Sequence, residues 1–239
     1  MKERLDKVMA DLGIVSSRSQ AKSLIEKGDV TVNGQVITKV SEAVRPDADI
    51  QVSGDLYVGR GAFKLKKALE EFSIDVNGLI CLDVGASTGG FTEILLQNGA
   101  KKVYAIDVGR DQLAEKIKND SRVINREGTN IKDVESLPDL ADGAVMDLSF
   151  ISITKVLSSL EKLIKTQGFL IALIKPQFEA GLDRLPKDGV VKDPKVREEI
   201  LNEVIASAET HHWKHHRTIL SPIEGKSGNT EYLAHFTRN

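Results

Sequence analysis

The chain has 239 residues, a formal net charge of -2, 41% hydrophobic and 28% charged residues, and one cysteine, Cys81. This composition is typical of a globular protein with one large domain or a large and a small one, and a single cysteine excludes an intramolecular disulfide. No apolar run approaches the roughly 20 residues that span a membrane, and the charged N-terminus lacks a signal sequence, so we expect a cytoplasmic protein without a membrane partner.

The first 54 residues show the pattern of a small domain. Apolar spacing predicts two short helices and then three short strands, at 3–12, 17–27, 30–32, 36–37 and 50–52. Ser16 or Ser17 is placed to cap the second helix, and Asn33-Gly34 fits a hairpin turn. The motifs Arg-Leu-Asp, Ser-Arg-x-x-Ala and Gly-Asp-Val-x-Val-Asn-Gly occur here in this order. Residues 1–54 thereby resemble the RNA-binding domain first known from ribosomal protein S4.

The resemblance to the S4 domain implies contacts with structured RNA. In that family the helix pair and the following loop contact RNA, so basic residues at these positions are candidate phosphate contacts. Arg60 adds to them, because it begins an acid-free basic run just after the domain. The candidates are Arg4, Arg18, Lys22, Lys27 and Arg60. The first 58 residues contain eight basic and nine acidic side chains, so ordinary surface charge remains the alternative for each candidate taken singly.

Residues 55–59 are predicted to be a linker, and residues 60–239 a second, larger domain. Strand patterns alternate with helical ones, the strands lying near 79–84, 102–107, 122–125, 143–147, 168–174, 214–221 and 231–237. This alternation indicates a doubly wound, mostly parallel α/β sheet. The last two strands predict an antiparallel closing hairpin, as in the seven-stranded, Rossmann-like fold of S-adenosylmethionine-dependent methyltransferases.

A glycine-rich turn, Asp83-Val-Gly-Ala-Ser-Thr-Gly-Gly-Phe91, follows the first strand of this domain. Its glycines would let backbone N–H groups approach a ligand, although glycine for close packing alone is the alternative. A carboxylate at the strand end distinguishes the turn from a dinucleotide site and favours a ligand with an ammonium group, such as S-adenosylmethionine. Asp107 suits two ribose hydroxyls, and Asn130 or Glu127 an adenine edge. The predicted cofactor-binding residues are Asp83, Gly85, Ala86, Ser87, Thr88, Gly89, Gly90, Phe91, Asp107, Asn130 and Asp147.

Four ionisable residues are predicted at the carboxyl edge of the sheet, and they are Lys64, Asp147, Lys175 and Glu231. Lys175 follows six apolar residues, which is a costly position for a lysine without a partner or a task. Methyl transfer to a ribose 2'-hydroxyl needs a base, and a desolvated lysine beside a second cation gives up its proton readily. Lys175 is therefore the predicted base, Lys64 the neighbouring cation, and the two acids orient the lysines. Simple salt-bridge or surface roles remain the alternative for each residue alone.

The sequence around each of the four residues matches a known pattern. Gly61-Ala-Phe-Lys-Leu65, Asp147-Leu-Ser-Phe150, Lys175-Pro-Gln-Phe178 and Asn229-Thr-Glu-Tyr232 resemble the Lys-Asp-Lys-Glu tetrad of the FtsJ-like ribosomal RNA 2'-O-methyltransferases. With its N-terminal domain, the whole chain resembles the haemolysin-A (TlyA) type of that family. The resemblance implies S-adenosylmethionine as cofactor, 2'-O-methylation of cytidine as activity, and ribosomal RNA or ribosomal subunits as partner. No obligate protein partner is evident.

Three other functions compete with this interpretation. A base N-methyltransferase would use an aromatic side chain at the position of Phe150, but its usual prolines are missing. An assembly factor with idle chemistry would keep the cofactor turn. A pore-forming haemolysin is disfavoured, because the chain has neither a long apolar segment nor an alternating barrel pattern.

The histidine-rich stretch 211–216 raises the question of a metal site. No nearby cysteine or paired carboxylate completes a ligand set, so we expect no metal there. The stretch is instead predicted to be an exposed helix-to-strand junction with Trp213 packed inward.

Overall fold

The computed structural model describes residues 2–15, 17–54 and 56–239. Their contacts divide the chain into two compact units, Met1–Arg60 and Gly61–Asn239. Each unit has its own buried apolar cluster. The two units are therefore described in turn.

The N-terminal unit contains, within residues 2–15 and 17–54, two helices and five short strands. They are β1 (Glu3–Arg4), α1 (Leu5–Asp11), α2 (Arg18–Lys27), β2 (Val30–Val32), β3 (Gln35–Val36), β4 (Ala43–Val44) and β5 (Ile50–Val52). Strand β2 pairs antiparallel with β3 and β5, while β1 pairs antiparallel with β4. Apolar side chains from both helices and β2 form one core, which includes Leu5, Met9, Ile25 and Val30.

The beginning of the first helix corrects the prediction. A helix was expected over 3–12, but Glu3 and Arg4 are extended because they pair with Val44 and Ala43. Arg4 therefore precedes α1 instead of lying on it. The second helix begins as predicted, because the Ser17 side chain accepts a hydrogen bond from the Gln20 N–H at 3.2 Å. The other predicted cap, Ser16, and the linker residue Asp55 lie outside the described residues.

The C-terminal unit alternates strands and helices. Its elements are α3 (Gly61–Phe72), β6 (Ile80–Val84), α4 (Gly90–Gln97), β7 (Lys102–Asp107), α5 (Glu115–Lys118), β8 (Val123–Glu127), β9 (Ala141–Met146), α6 (Leu157–Glu161), β10 (Ile164–Ile174), α7 (Pro176–Glu179), α8 (Gly181–Arg184), α9 (Pro194–Thr210), β11 (Trp213–Leu220) and β12 (Tyr232–Arg238). The predicted strands are therefore confirmed, with boundaries shifted by a few residues.

The seven strands of this unit form one sheet in the order β11-β12-β10-β9-β6-β7-β8. Strands β6 to β10 pair in parallel, whereas β12 runs antiparallel to β10 and β11. The predicted doubly wound sheet with a closing hairpin is confirmed. Buried side chains on its strands, among them Leu82, Tyr104, Met146 and Leu170, form the main core. The carboxyl ends of β6, β7, β9 and β10 lie along one edge, where such folds bind their ligands.

The histidine-rich stretch lies at the junction between α9 and β11, as predicted. Helix α9 ends at Thr210, and β11 begins at Trp213, whose side chain is fully buried. The rings of His216 and His235 stack with their centroids 4.9 Å apart. Across residues 2–15, 17–54 and 56–239, no cluster of three or more potential metal ligands is present. Over the same residues, every helix is too short or too polar to cross a bilayer.

Candidate active site

The glycine-rich turn joins β6 to α4 and contains three residues with positive φ. They are Gly85 at +87°, Ser87 at +48° and Gly89 at +93°. The backbone of Gly85 lies so close to the carbonyl of Asp147 that a Cβ atom would overlap it. A Cβ at Gly89 would come within 2.9 Å of the Leu113 side chain. Both glycines are therefore required by backbone conformation and by close packing together.

The N–H groups of these two glycines bind the protein itself. Gly85 donates to Ile106 O at 2.8 Å, and Gly89 donates to Ala86 O at 2.7 Å. These two amides are therefore engaged within the protein, and the assignment of the turn to a cofactor stays a prediction. The two glycines thus allow close packing of the turn, Gly85 against Asp147 and Gly89 against Leu113.

Asp83 is the penultimate residue of β6 and is fully buried. The Thr92 hydroxyl donates to its Oδ2 at 2.6 Å, while Oδ1 has no hydrogen-bond partner among the described residues. Burial raises the pKa of Asp83 to about 7, an effect that the Thr92 hydrogen bond opposes and the nearby charges of Asp147 and Asp107 reinforce. A buried carboxyl oxygen without a partner fits a ligand that brings a cationic donor.

Asp107, the last residue of β7, holds its carboxylate at the sheet edge. Its Oδ2 accepts from the Ser87 N–H at 2.8 Å and its Oδ1 from the Gly109 N–H at 2.7 Å. Each oxygen keeps a second lone pair, so the fixed carboxylate can still accept from two neighbouring hydroxyls. Val108, which the sequence reasoning missed, follows with 71% of its surface exposed and offers an apolar face beside this carboxylate.

The adenine-edge candidates have structural tasks. Glu127 accepts from the backbone N–H groups of Gln112 and Leu113 at 2.6 and 3.0 Å, and from the Asn125 side chain at 2.9 Å. These hydrogen bonds, that of Asn125 foremost, lower the pKa of Glu127. Asn130 accepts from the Lys132 N–H at 3.1 Å and caps a short helical turn. Both side chains thus fix the loops that border Asp107.

The remaining turn residues line the path into α4. Ala86 and Thr88 lie within the turn, while Gly90 and Phe91 form the first residues of α4. The Phe91 ring is buried and lies close to the first residue of α3, because a Cβ added at Gly61 would be 3.5 Å from it. The cofactor turn and the beginning of α3 are therefore packed together.

Lys64 and Glu231 form an enclosed ion pair. Lys64 lies on α3, Glu231 immediately precedes β12, and their Nζ and Oε2 atoms are 2.5 Å apart. Their side chains are only 7% and 3% exposed. The alternative of a solvated surface lysine is thereby excluded for Lys64.

Lys175 and Asp147 form a second ion pair, which is more open. Lys175 Nζ lies 2.5 Å from Asp147 Oδ1 and also donates to the Ser149 hydroxyl at 3.1 Å. The side chain of Lys175 is 9% exposed and that of Asp147 is 23% exposed. Phe178 covers the lysine, with its ring centroid 5.7 Å from Nζ. The structure therefore pairs each lysine of the predicted tetrad with one of its acids.

The beginning of α3 connects the two pairs. A Cβ atom at Gly61 would lie 3.9 Å from Asp147 Oδ2, and Lys64 follows less than one helical turn later. Asp147 also contacts the cofactor turn through Gly85. All four ionisable residues therefore surround the same stretch of sheet edge as Asp83 and Asp107.

Phe150 stands out beside the open pair, because 90% of its surface is exposed. Its φ of +64° is unusual for a bulky residue and directs attention to a local constraint. Its ring lies 5.1 Å from that of Phe178, tilted by 47°. An aromatic face is thus available to a planar group next to Lys175 and Asp147.

The RNA-contact candidates of the N-terminal unit are partly engaged with acids. Arg4 and Arg18 both bind Asp6, at 3.0 and 2.7 Å, and these contacts, that of Arg4 foremost, lower the pKa of Asp6. Lys22 lies 3.7 Å from Glu26. The side chains of Arg4 and Arg18 remain more than half exposed, so they can contact phosphate as well. Lys27 is exposed in the last turn of α2, and Arg60 is exposed at the end of the unit.

Comparison with known families agrees with both units. Residues 57–238 match the FtsJ-like methyltransferase family, and residues 3–50 match the S4 domain. The chain belongs to the FtsJ-like methyltransferase family. The predicted membership of this family and the predicted methyltransferase fold are thereby confirmed.

Relatives of this FtsJ-like methyltransferase match over nearly its whole length. Hemolysin A from Brachyspira hyodysenteriae is 44% identical, with 98% of this chain and 99% of that protein covered. The 16S/23S rRNA (cytidine-2'-O)-methyltransferase TlyA from Mycobacterium tuberculosis is 41% identical, with 96% and 88% covered. A solved structure from Streptococcus thermophilus, described as a hemolysin, aligns with a TM-score of 0.78 at 39% identity and covers 100% of this chain and 89% of that one.

Proposed function

We propose that the protein transfers the methyl group of S-adenosylmethionine to the 2'-hydroxyl of a cytidine in ribosomal RNA. The observation that carries the proposal is the pair of lysine–carboxylate contacts, Lys175–Asp147 and Lys64–Glu231, at the sheet edge beside Asp83. The relative from Mycobacterium tuberculosis, named for this reaction, supports the substrate.

The cofactor is proposed from the chemistry of the turn. Asp83 Oδ1, which has no hydrogen-bond partner in the part of the chain that the structure describes, suits the ammonium group of the cofactor's methionine part, and Asp107 suits its ribose hydroxyls. When bound, S-adenosylmethionine supplies a methyl group that passes to the 2'-oxygen while the carbon–sulfur bond breaks and its electron pair stays on sulfur. The other predicted turn residues, from Gly85 to Phe91, hold the wall of this site.

The reaction requires that the 2'-hydroxyl lose its proton as its oxygen attacks. In the proposal the amine form of Lys175 accepts this proton, and Asp147 at 2.5 Å stabilises the ammonium that results. The Ser149 hydroxyl at 3.1 Å fixes the direction of the lysine. Lys64, held by Glu231, supplies a fixed positive charge that positions the attacking hydroxyl.

Phe150 is proposed to receive the base of the target nucleotide. A base stacked on an exposed aromatic face contributes about 1–3 kcal/mol to nucleic-acid binding. Phe150 offers such a face three residues after Asp147. This contact would hold the nucleotide while its ribose faces Lys175.

The N-terminal unit is proposed to bind ribosomal RNA through its backbone phosphates. The match to the S4 domain and the largely exposed side chains of Arg4 and Arg18 support this role. Lys22, Lys27 and Arg60 are proposed as further contacts. In this proposal residues 1–54 form the RNA-binding domain, 55–59 a linker and 60–239 the catalytic domain, and a ribosomal substrate implies a cytoplasmic site of action.

One experiment tests the reaction and the substrate together. Labelled S-adenosylmethionine is incubated with the full chain and with unmodified small subunits, large subunits or naked ribosomal RNA, and the products are digested to nucleosides for mass spectrometry. We expect 2'-O-methylcytidine. A methylated base would establish the N-methyltransferase alternative instead, and cofactor binding without transfer to any of these substrates would favour an assembly factor.

A further inference from the structure

Asn229 is a buried amide close to the enclosed ion pair, and the reaction proposed above gives it no task. Its exposed fraction is 4%, and it lies two residues before Glu231. Burial of an amide is costly unless its polar atoms are hydrogen-bonded. The partners of Asn229 therefore show what its side chain contributes.

The side chain of Asn229 binds one short stretch of backbone with both ends of its amide. Its Oδ1 accepts from the Val191 N–H at 3.3 Å, and its Nδ2 donates to Gly189 O at 3.0 Å. This bridge fixes the two peptide groups on either side of Val190. Arg197 holds the same stretch from α9, because its Nη1 donates to Val191 O at 3.1 Å.

The backbone of Asn229 leads to the Lys64–Glu231 pair. Its carbonyl accepts from the Gly225 N–H at 2.9 Å, closing a turn. Gly225 lies directly against the Glu231 carboxylate, because a Cβ atom there would overlap Oε1. The Asn229 carbonyl thus closes the turn that packs against Glu231.

The bridged stretch leads in the other direction to Lys175. The buried Val191 side chain packs with Ala180 and Ile200 in a small apolar cluster. Ala180 is the C-cap residue of α7, the helix that begins immediately after Lys175. The position of Val191 therefore affects α7, the helix that follows Lys175, through the contact with Ala180.

We propose that Asn229 is a positioning residue that couples the two lysine–carboxylate pairs. Its side chain fixes the stretch that packs against α7, next to Lys175, while its backbone closes the turn around Glu231. The inference rests on the proposed 2'-O-methyl transfer, since it concerns how the proton acceptor and the positioning cation keep their relation during that reaction. Loss of the bridge removes none of the four tetrad side chains but loosens their positions relative to one another.

Two substitutions test the coupling. Asn229→Ala removes both hydrogen bonds, whereas Asn229→Asp keeps the acceptor for Val191 and loses the donor for Gly189. Asn98→Ala is the matched control, because it removes a side-chain hydrogen bond to Ile94 O at the far end of α4. Each full-length protein is assayed for kcat, for the KM of ribosomal RNA, for the Kd of S-adenosylmethionine and for hydrogen exchange at the Val191 N–H.

We expect faster exchange at Val191 in Asn229→Ala, with less change in Asn229→Asp. In Asn229→Ala we expect kcat to fall by about 10- to 100-fold, because small misplacements of reacting groups have effects of this size. The Kd of S-adenosylmethionine should stay within about twofold, as in Asn98→Ala, because the bridge does not touch the cofactor turn. Unchanged exchange at Val191 would overturn the bridge.

Two kinetic outcomes would overturn the positioning role. One is a kcat within about twofold of the wild-type value in spite of lost protection. The other is a parallel loss of kcat, cofactor affinity and thermal stability, which would indicate a purely structural residue. If the wild-type protein transferred no methyl group, the proposed function would fail, whereas the exchange measurement would still decide whether the bridge exists.

Discussion

The two lysine–carboxylate pairs have the same chemistry but differ in their surroundings. Lys64 and Glu231 are enclosed, with side chains no more than 7% exposed, whereas 23% of the Asp147 side chain in the second pair is open to solvent. The second pair has an additional hydroxyl partner, Ser149, and an exposed aromatic side chain, Phe150, nearby. The enclosed Lys64–Glu231 pair is therefore suited to a fixed positioning role, and the more open Lys175–Asp147 pair to proton exchange with a substrate.

The largest expected effect comes from the lysine of the open pair. Lys175→Ala should lower kcat by about 1000-fold, within the range that general base catalysis contributes, and leave the Kd of S-adenosylmethionine within about twofold. Lys165→Ala is the matched control, since Lys165 also pairs with an aspartate, Asp142, at 2.6 Å but at the opposite end of β10. Single-turnover methyl transfer at several concentrations of S-adenosylmethionine is measured for both variants. Near-normal transfer by Lys175→Ala would remove Lys175 from the role of base.

The second effect concerns the enclosed pair and stability. Lys64→Met leaves the Glu231 carboxylate buried without its partner, which should cost about 3–5 kcal/mol of unfolding free energy. Asp147→Asn should cost less, because Asp147 is partly solvated. Urea unfolding followed by the fluorescence of Trp213, the single tryptophan, reports on the large unit.

A double variant separates the two possible contributions of the enclosed pair. Lys64→Met combined with Glu231→Gln should regain stability, since no buried charge is left unpaired, but methyl transfer should stay low. Recovery of transfer together with stability would show that the pair acts only through the fold, and the contrast between the two pairs would disappear.

The third prediction concerns Asp83 and pH. Its folded-state pKa of about 7 lies above its usual value, so this carboxyl favours the folded protein below about pH 4, and that contribution is lost as the pH rises through about 7. The affinity for the cofactor should change with pH in the opposite direction and rise with pH, because a cationic ammonium binds the ionised carboxylate. We expect the affinity for S-adenosylmethionine to rise about tenfold from pH 6 to pH 8.

Asp83→Asn provides the control for the pH experiment. Its affinity for S-adenosylmethionine, measured by calorimetry, should be lower at pH 8 and nearly independent of pH between 6 and 8. A wild-type affinity that does not change over this range would contradict the assignment of the ammonium to Asp83.

The smallest expected effect is on RNA binding. Phe150→Ala should raise the KM for ribosomal RNA by about tenfold, in keeping with the loss of one stacked base, and change kcat much less. Phe150→Tyr keeps the ring and should restore the KM. A tenfold fall in kcat with an unchanged KM would instead indicate that Phe150 acts in the methyl-transfer step.

Sequence reasoning predicted the large sheet well for a physical reason. The run 169–174 is apolar throughout, and Pro176 follows it two positions later, so the strand character and the carboxyl end of β10 are local properties. The strand pair β1–β4 escaped prediction because each strand has two residues and its partner lies far along the chain. The apolar pattern that predicted the first helix also included the residues of β1.

The candidate site was predictable in its members but not in its pairing. Spacing and strand ends indicated Lys64, Asp147, Lys175 and Glu231, yet the partners Lys64 and Glu231 are 167 positions apart and meet only in the folded chain. The task of the glycine amides was also hidden. Gly85 binds Ile106 O on a neighbouring strand, and no local pattern reveals which acceptor a backbone N–H finds.

The contact of Gly85 with the Asp147 carbonyl has a consequence for engineering. At this contact the turn proposed to bind the cofactor lies directly against Asp147, which pairs with the proposed base Lys175. A larger residue at position 85 would therefore displace both the turn and Asp147. Substitutions intended to accept enlarged cofactor analogues should be sought at the exposed Val108, away from the contact between Gly85 and Asp147.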